Sequence, residues 1–418
     1  MQNEIPAILP THLFDNKEGK ESFELKSKNN YRKFLKAYIF IFIFFLIPIY
    51  LNYLFLRNCG EFLSTKQIFE SQNKVGEFNI YGSSIFNDIS ELKLYSYKYK
   101  KPKIISFGSS RVLQFREQFF SKSFYNMGYT ATSIHEALNA TAAMLTAHRP
   151  QVVLLGIDFW WFNENFQKSD AYDLCSQRAV NKIDPAHLLL PFKWIKDEKI
   201  TISDYMRLFT LSKTHHIGVG GKLRKSGISA DGSCYYTDLV TGHSNNFGDV
   251  SFKETADSVA KGTGRFTHGT SFSEIHFQKF LDLLEIFQKN NVKVILFFPP
   301  LAPEINKLMK QYDYSYIAEL RGKLKKNDVK VYDFTDPNQL LSTNDGEFID
   351  GFHGGDVIYA RMLNYIVSRE ASLKNYVSKD YLEKVICKYA GLAMIPDPRI
   401  TSEKEVDFLR IGGTKNSN

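Results

Sequence analysis

Cysteine is scarce. Four residues, Cys59, Cys175, Cys234 and Cys387, are spread over 418 positions, and no CxxC pair occurs. That spacing argues against a structural zinc site. No internal repeat, collagen-like period or prion-like tract is present, which removes fibrous and solenoid classes. No RNA- or DNA-binding motif stands out, and the basic residues behind the net charge of +8 are dispersed, so nucleic acid is not an expected partner. His215, His216, His243, His268 and His276 have no ligand-like spacing to carboxylates or cysteines, so neither a metal nor another cofactor is expected.

What is present is apolar and aromatic. Hydrophobic residues make up 44% and aromatics 15%, enough for a sizeable core in two average domains or one large domain with insertions. The longest uncharged run is Ala37 to Leu56, preceded by Lys17, Lys20, Lys26, Lys28, Arg32, Lys33 and Lys36. Twenty helical residues span about 30 Å, one hydrocarbon core. The run lies too far from Met1 for an ordinary secretory signal, and no small-residue cleavage site follows it. It reads as a single transmembrane helix, with Pro48 a possible kink. The basic flank places residues 1–36 in the cytoplasm and everything after Arg57 outside. Residues 57–101 then form a connecting segment.

From residue 102 short apolar runs alternate with helical patterns. Ile104–Phe107 reads as a strand, Val112–Phe120 as a helix and Ser123–Met127 as a strand ending at Gly128. Ser133–Ala147 reads as a helix opened by Ser133-x-x-Glu136, and Val152–Leu155 as a strand ending in Gly156-Ile157-Asp158. Continuous apolar runs suit strands covered on both faces, so the expected fold is α/β with a parallel sheet. Residues 159–270 break the alternation and read as an insertion over the carboxyl edge of the sheet. Cys175 and Cys234 fall inside it, either as a disulfide or as two small buried side chains. Alternation resumes with helix 273–289, strand 292–298, helix 303–325, strand 329–334 and a last helix at 357–369. A C-terminal extension, 372–418, carries one further helix near 381–389.

The run Lys103-Ile-Ile-Ser-Phe-Gly-Ser-Ser-Arg111 delivers Ser110 into the turn after a strand, the edge where α/β sheets bind ligands. A serine there is a nucleophile if a base lies nearby. A second Gly-Ser-Ser, at 82–84, lacks the preceding apolar strand. Asp350-Gly-Phe-His353 can supply the base and its orienting carboxylate. Asp184-Pro-Ala-His187 has the same spacing but leads into the apolar run Leu188–Leu190, which suits packing. Asp350 and His353, after the last strand, are the preferred pair.

Four blocks, Gly108-Ser109-Ser110-Arg111, Asn126-Met127-Gly128, Gly156-Ile157-Asp158 and Asp350-x-x-His353, occur in this order. Together they resemble the SGNH (GDSL-type) esterase and acyltransferase superfamily over residues 102 to about 370. With the N-terminal anchor, the chain is most similar to the membrane-anchored members that O-acetylate alginate or peptidoglycan or transfer D-alanine to teichoic acids. The resemblance implies a three-layer sandwich over 102–371. It also implies a Ser110–His353–Asp350 triad and oxyanion donors at the backbone N–H groups of Ser110 and Gly128. It further implies a bacterial cell (inner) membrane location with an extracytoplasmic domain, in a periplasm or at a cell surface, a glycan substrate and a multispanning membrane acyltransferase as partner. Ser109 replaces the usual Asp of the first block, and Asp158 replaces the usual Asn of the third. A carboxylate would oppose a developing oxyanion, so Asp158 receives no such role. Arg111 can hold an anionic substrate group or a carboxylate of the fold. Trp160 and Trp161 can stack on sugar or pack in the core, and Asn163 can contact substrate. The expected function is O-acyl transfer to an extracytoplasmic glycan. Hydrolysis by a tethered carbohydrate or lipid esterase and a non-catalytic scaffold are the alternatives.

Overall fold

A computed structural model describes residues 17–85, 89–166, 184–244, 248–339, 341 and 343–412. The chain divides into two compact units, one ending at Phe55 and one beginning at Leu56. The first unit is dominated by helix α1, Lys17–Cys59. Its stretch Lys28–Cys59 is long and apolar enough to cross a membrane. Only 17% of its most apolar window is buried, whereas the core helix of a soluble domain would be largely covered. Pro48 lies within the helix.

The second unit is built on five parallel strands. They are β1 Ile104–Gly108, β2 Phe124–Gly128, β3 Val152–Gly156, β6 Lys293–Phe298 and β7 Val331–Asp333. Their order is β2-β1-β3-β6-β7. Every residue of β1, β2 and β3 is buried, which is why these strands are largely apolar, with Ser106 and Asn126 as buried polar exceptions and no regular polar alternate face. The pairing is in step at the carboxyl ends, with Gly108 opposite Gly128 and Gly156 opposite Phe297. From β1 the chain winds first to β2, then back past β1 to β3. The carboxyl ends of β1 and β3 therefore flank the point where the winding reverses, the place where such sheets open a crevice. Two glycines allow the tight approach there. A Cβ on Gly108, whose φ is +152°, would lie 2.8 Å from Gly156 O, and one on Gly156 would lie 2.4 Å from Val112 Cγ1.

Helix Ile134–Ala147 links β2 to β3 and begins as expected, with Ser133 Oγ accepting the Glu136 N–H. Two helices differ from expectation. Residues 112–120 form no α-helix, only 3-10 turns at Ser110–Val112 and Glu117–Phe119. The carbonyls of Val112 and Phe115, which helical neighbours would otherwise occupy, accept instead from Asn126 Nδ2 at 2.9 and 3.1 Å. The expected helix 303–325 is two, Pro303–Met309 and Ser315–Lys326, the second preceded by Asp313, whose Oδ1 accepts the Ser315 N–H.

The stretch between β3 and β6 carries short helices and a hairpin, β4 Ser226–Ile228 with β5 Cys234–Tyr236. Segment 57–101 contributes helices Thr65–Gln72 and Ser90–Lys100 to the same unit. Lys93 on the second of these is wholly buried, donating to Asn126 O at 2.7 Å and to Gly232 O. Burial pushes its pKa down to about 7. The Gly82-Ser83-Ser84 turn clasps the buried Glu61 carboxylate, which also accepts the Val219 N–H at 2.7 Å. Cys234 is a buried free thiol. Cys175, the other half of the alternative disulfide, lies outside the described residues. The C-terminal residues add helix Lys379–Lys388, through which Leu382 and Val385 enter the core.

Candidate active site

Strand β1 ends at Gly108, and the chain turns at once into Ser109. Its hydroxyl accepts the Arg111 N–H at 3.2 Å and so caps the short 3-10 turn that presents Ser110. Capping is a task that Ser shares with Asp. Ser110 opens that turn, a position whose N–H has no partner within the turn. From the other side of the sequence, the loop 344–355 carries Asp350 and His353 to the same edge.

The three side chains meet. Ser110 Oγ lies 2.9 Å from His353 Nε2, and His353 Nδ1 lies 2.7 Å from Asp350 Oδ2. Asp350 Oδ1 accepts the N–H groups of Phe352 and His353 at 2.7 and 2.6 Å, so both carboxylate oxygens are engaged and the ring is aimed by its own loop. Burial would raise the Asp350 carboxyl, but the adjoining imidazole and the two amides outweigh it and hold the pKa below the usual 3.8. An ionised Asp350 accepts a hydrogen bond from Nδ1–H and so leaves Nε2 as an acceptor for the serine hydroxyl. The site is not sealed, since the side chains of His353 and Asp350 are 19% and 25% exposed. Asp350, Phe352 and His353 border a depression of about 540 Å³, with Thr263, Arg265 and Phe266 across it.

The other sequence candidates lie elsewhere in function. The Gly128 N–H is not open to the site, because it donates to Asn126 Oδ1 at 2.8 Å. Asn126 is a buried clamp with its amide group spent on the backbone, and the expected second oxyanion donor is occupied. Arg111 does not face substrate. It is 2% exposed, pairs with Asp158 at 3.1 Å, and donates to the carbonyls of Pro299 and Pro300 at 2.7 and 2.8 Å. Burial raises the Asp158 carboxyl despite Arg111. Trp160 and Trp161 are 1% and 2% exposed and cannot stack on sugar from the surface. Trp160 packs against Phe352 instead, with ring centroids 5.3 Å apart. Asn163 is also buried, donating to Thr267 O at 2.8 Å. Trp160 and Trp161 lie in the 3-10 turn Phe159–Phe162, all four residues of which are buried.

Two arginines at the site have no signature in the sequence. Arg116 is buried and binds Asp356 at 2.9 Å, Ser233 Oγ at 2.8 Å and Cys234 O at 2.7 Å. Asp356 opens the helix that follows His353, and its Oδ2 accepts the Ile395 N–H. Arg116 therefore ties the segment after Ser110 to the segment after His353. Arg265 is half-buried, with its guanidinium 5.2 Å from the Phe352 ring centroid and 5.5 Å from that of Trp160. Among the described residues it forms no hydrogen bond or ion pair. Only the ordinary spacing of charged residues marks either position, so no motif search would find them. Among the described residues no group of three or more His, Cys, Asp or Glu has the arrangement to hold a metal ion.

Compared with known proteins, the chain matches no protein-family model and no curated protein.

Proposed function

We propose that the chain is a membrane-anchored serine O-acyltransferase of SGNH type, a three-layer sandwich held outside the cytoplasm of a bacterial inner membrane by α1. It transfers an acyl group, acetyl in the simplest case, to a hydroxyl of an envelope or exported glycan. The observation that carries this reading is the hydrogen-bonded series Ser110 Oγ, His353 Nε2, His353 Nδ1, Asp350 Oδ2 at the carboxyl edge of the sheet.

In the first half-reaction Ser110 Oγ attacks the acyl carbonyl while its proton passes to His353 Nε2. Asp350 stabilises the imidazolium and keeps its orientation. The oxyanion receives the Ser110 N–H. Collapse breaks the bond to the leaving group, which takes the proton from His353. In the second half, His353 removes a proton from a sugar hydroxyl, whose oxygen attacks the acyl-serine. The ester product leaves and Ser110 recovers its proton. Arg265, beside the depression and without an ion-pair partner among the described residues, supplies positive charge where substrate would enter. A multispanning membrane acyltransferase as acyl donor is the partner that the family resemblance suggests.

The occupied Gly128 amide favours a second reading, in which the domain presents a glycan to such a partner without performing chemistry. Hydrolysis of 4-nitrophenyl acetate by the full chain in detergent, beside Ser110→Ala, separates the two. Serine-dependent turnover supports the acyl-enzyme, and equal background rates support the scaffold. Partition of the acyl group between water and an added glycan hydroxyl then distinguishes esterase from transferase.

A further inference from the structure

The uncharged run of α1 ends at Leu56, and Asn58 follows two residues later. Asn58 Nδ2 donates to Leu208 O at 2.8 Å. Three residues of chain reach about 10 Å at most, so Leu208 stays close to the point where the apolar run ends, whatever the tilt of the helix.

Leu208 belongs to a pair of short helices, Ile202–Met206 and Leu208–Leu211. Leu208 and Leu211 are buried against the domain. Ile202, Met206 and Phe209 point away from it and are 66%, 69% and 72% exposed. Ile202 and Met206, four residues apart, share one face of the first helix, and Phe209 follows on the second. Just upstream, Leu189 and Phe192 are exposed as well. Large apolar side chains are normally scattered over a soluble surface, and a cluster of this kind marks a contact with lipid or protein. Between Leu189 and Lys213, Lys193, Lys196, Lys199, Arg207 and Lys213 outnumber Asp197, Glu198 and Asp204. Apolar faces bordered by lysine and arginine suit the boundary between acyl chains and anionic headgroups.

We infer that residues 189–209 lie on the bilayer beside the point where α1 emerges, with Leu189, Phe192, Ile202, Met206 and Phe209 inserted among the acyl chains. The occupant of this face is the membrane that α1 enters, not a second protein. The inference rests on α1 being membrane-spanning and is independent of the chemistry at Ser110. It gives the domain a second attachment to lipid besides its covalent tether.

The test uses the full chain in nanodiscs of phosphatidylethanolamine and phosphatidylglycerol, with Cys175 and Cys387 replaced by Ser. Nitroxides are placed singly through Phe209→Cys, Phe42→Cys in α1 and Ile275→Cys, an exposed position on helix Glu274–Lys289. Collision with oxygen is compared with collision with a water-soluble nickel chelate. At 209, as at 42, oxygen should be favoured several-fold, and at 275 the order should reverse. A label at 209 that behaves like 275 while 42 reads as lipid overturns the inference and leaves the anchor standing. A label at 209 shielded from both reagents also overturns it, in favour of a protein cover. A water-like label at 42 removes the anchor and this inference together. On the unsubstituted chain, a photoactivatable lipid should label peptides within 189–213 as well as α1, and labelling confined to α1 counts against the proposal.

Discussion

The chain contains the pattern Asp-x-x-His twice, and the two copies do different work. At Asp184 and His187 both side chains serve the backbone of one exposed turn. Asp184 Oδ1 accepts the Ala186 N–H at 2.8 Å, and His187 Nδ1 accepts the Asp184 N–H at 3.2 Å. The imidazole nitrogen that could have met a carboxylate is used as a cap. At Asp350 and His353 the backbone amides occupy only one carboxylate oxygen. The second oxygen holds the ring, and the far nitrogen is left to reach Ser110. Spacing is the same in both places. What differs is whether the ring is consumed by its own turn or directed toward a residue from another part of the fold.

Breaking the second copy should have the largest effect. Ser110→Ala or His353→Ala is expected to lower turnover of an activated acetyl ester by about three orders of magnitude or more, whereas His187→Ala leaves it within about twofold. Comparable losses in His187→Ala would end the distinction between the copies. Asp350→Asn should cost about 10³-fold to 10⁴-fold, because the amide can stabilise the wrong ring tautomer and cannot balance an imidazolium. Titration of the ring by NMR would show the tautomer change directly. Arg116→Met should leave Asp356 buried without its partner and reduce unfolding free energy by about 3–5 kcal/mol. Asp184→Ala, the loss of one cap, should cost only about 1 kcal/mol in the same denaturant titration. The smallest effect concerns acid. A carboxylate held below its ordinary 3.8 adds stability above that pH and loses it as pH falls through the lower folded value. Below about pH 4 the wild-type curve should therefore approach that of Asp350→Asn, and a constant gap down to pH 2 would contradict the depressed pKa.

The central strands are legible because short runs such as Ile104–Phe107, apolar but for Ser106, and Val152–Leu155, apolar throughout, stop at glycine and are too short for helices. Ser110, Asp350 and His353 could be chosen because each follows a strand that places it at one edge. The segment after Ser110 was misread, since its apolar residues fit a helix while its polar ones, Gln114 and Arg116, are drawn into a long-range network. Local pattern carries no signal for an amide such as Asn126 reaching across to take those carbonyls. The same limit applies to Arg111, Trp160 and Asn163. Arg111 follows Ser110 and the other two follow Asp158 in sequence, which suggests substrate, but Phe352 packs on Arg111 and Trp160 and Asn163 is spent on Thr267 O. Arg116 and Arg265 depend wholly on contacts between distant segments.

Ser110 and His353 are 243 positions apart in the chain. At about 5–20 residues per second, a ribosome needs roughly 12–50 s to add the second after the first. Throughout that interval the serine is an ordinary alcohol with no base beside it. The hydrogen-bonded series therefore exists only once the segment carrying His353 has been made and folded back, and no shorter nascent chain can hold it.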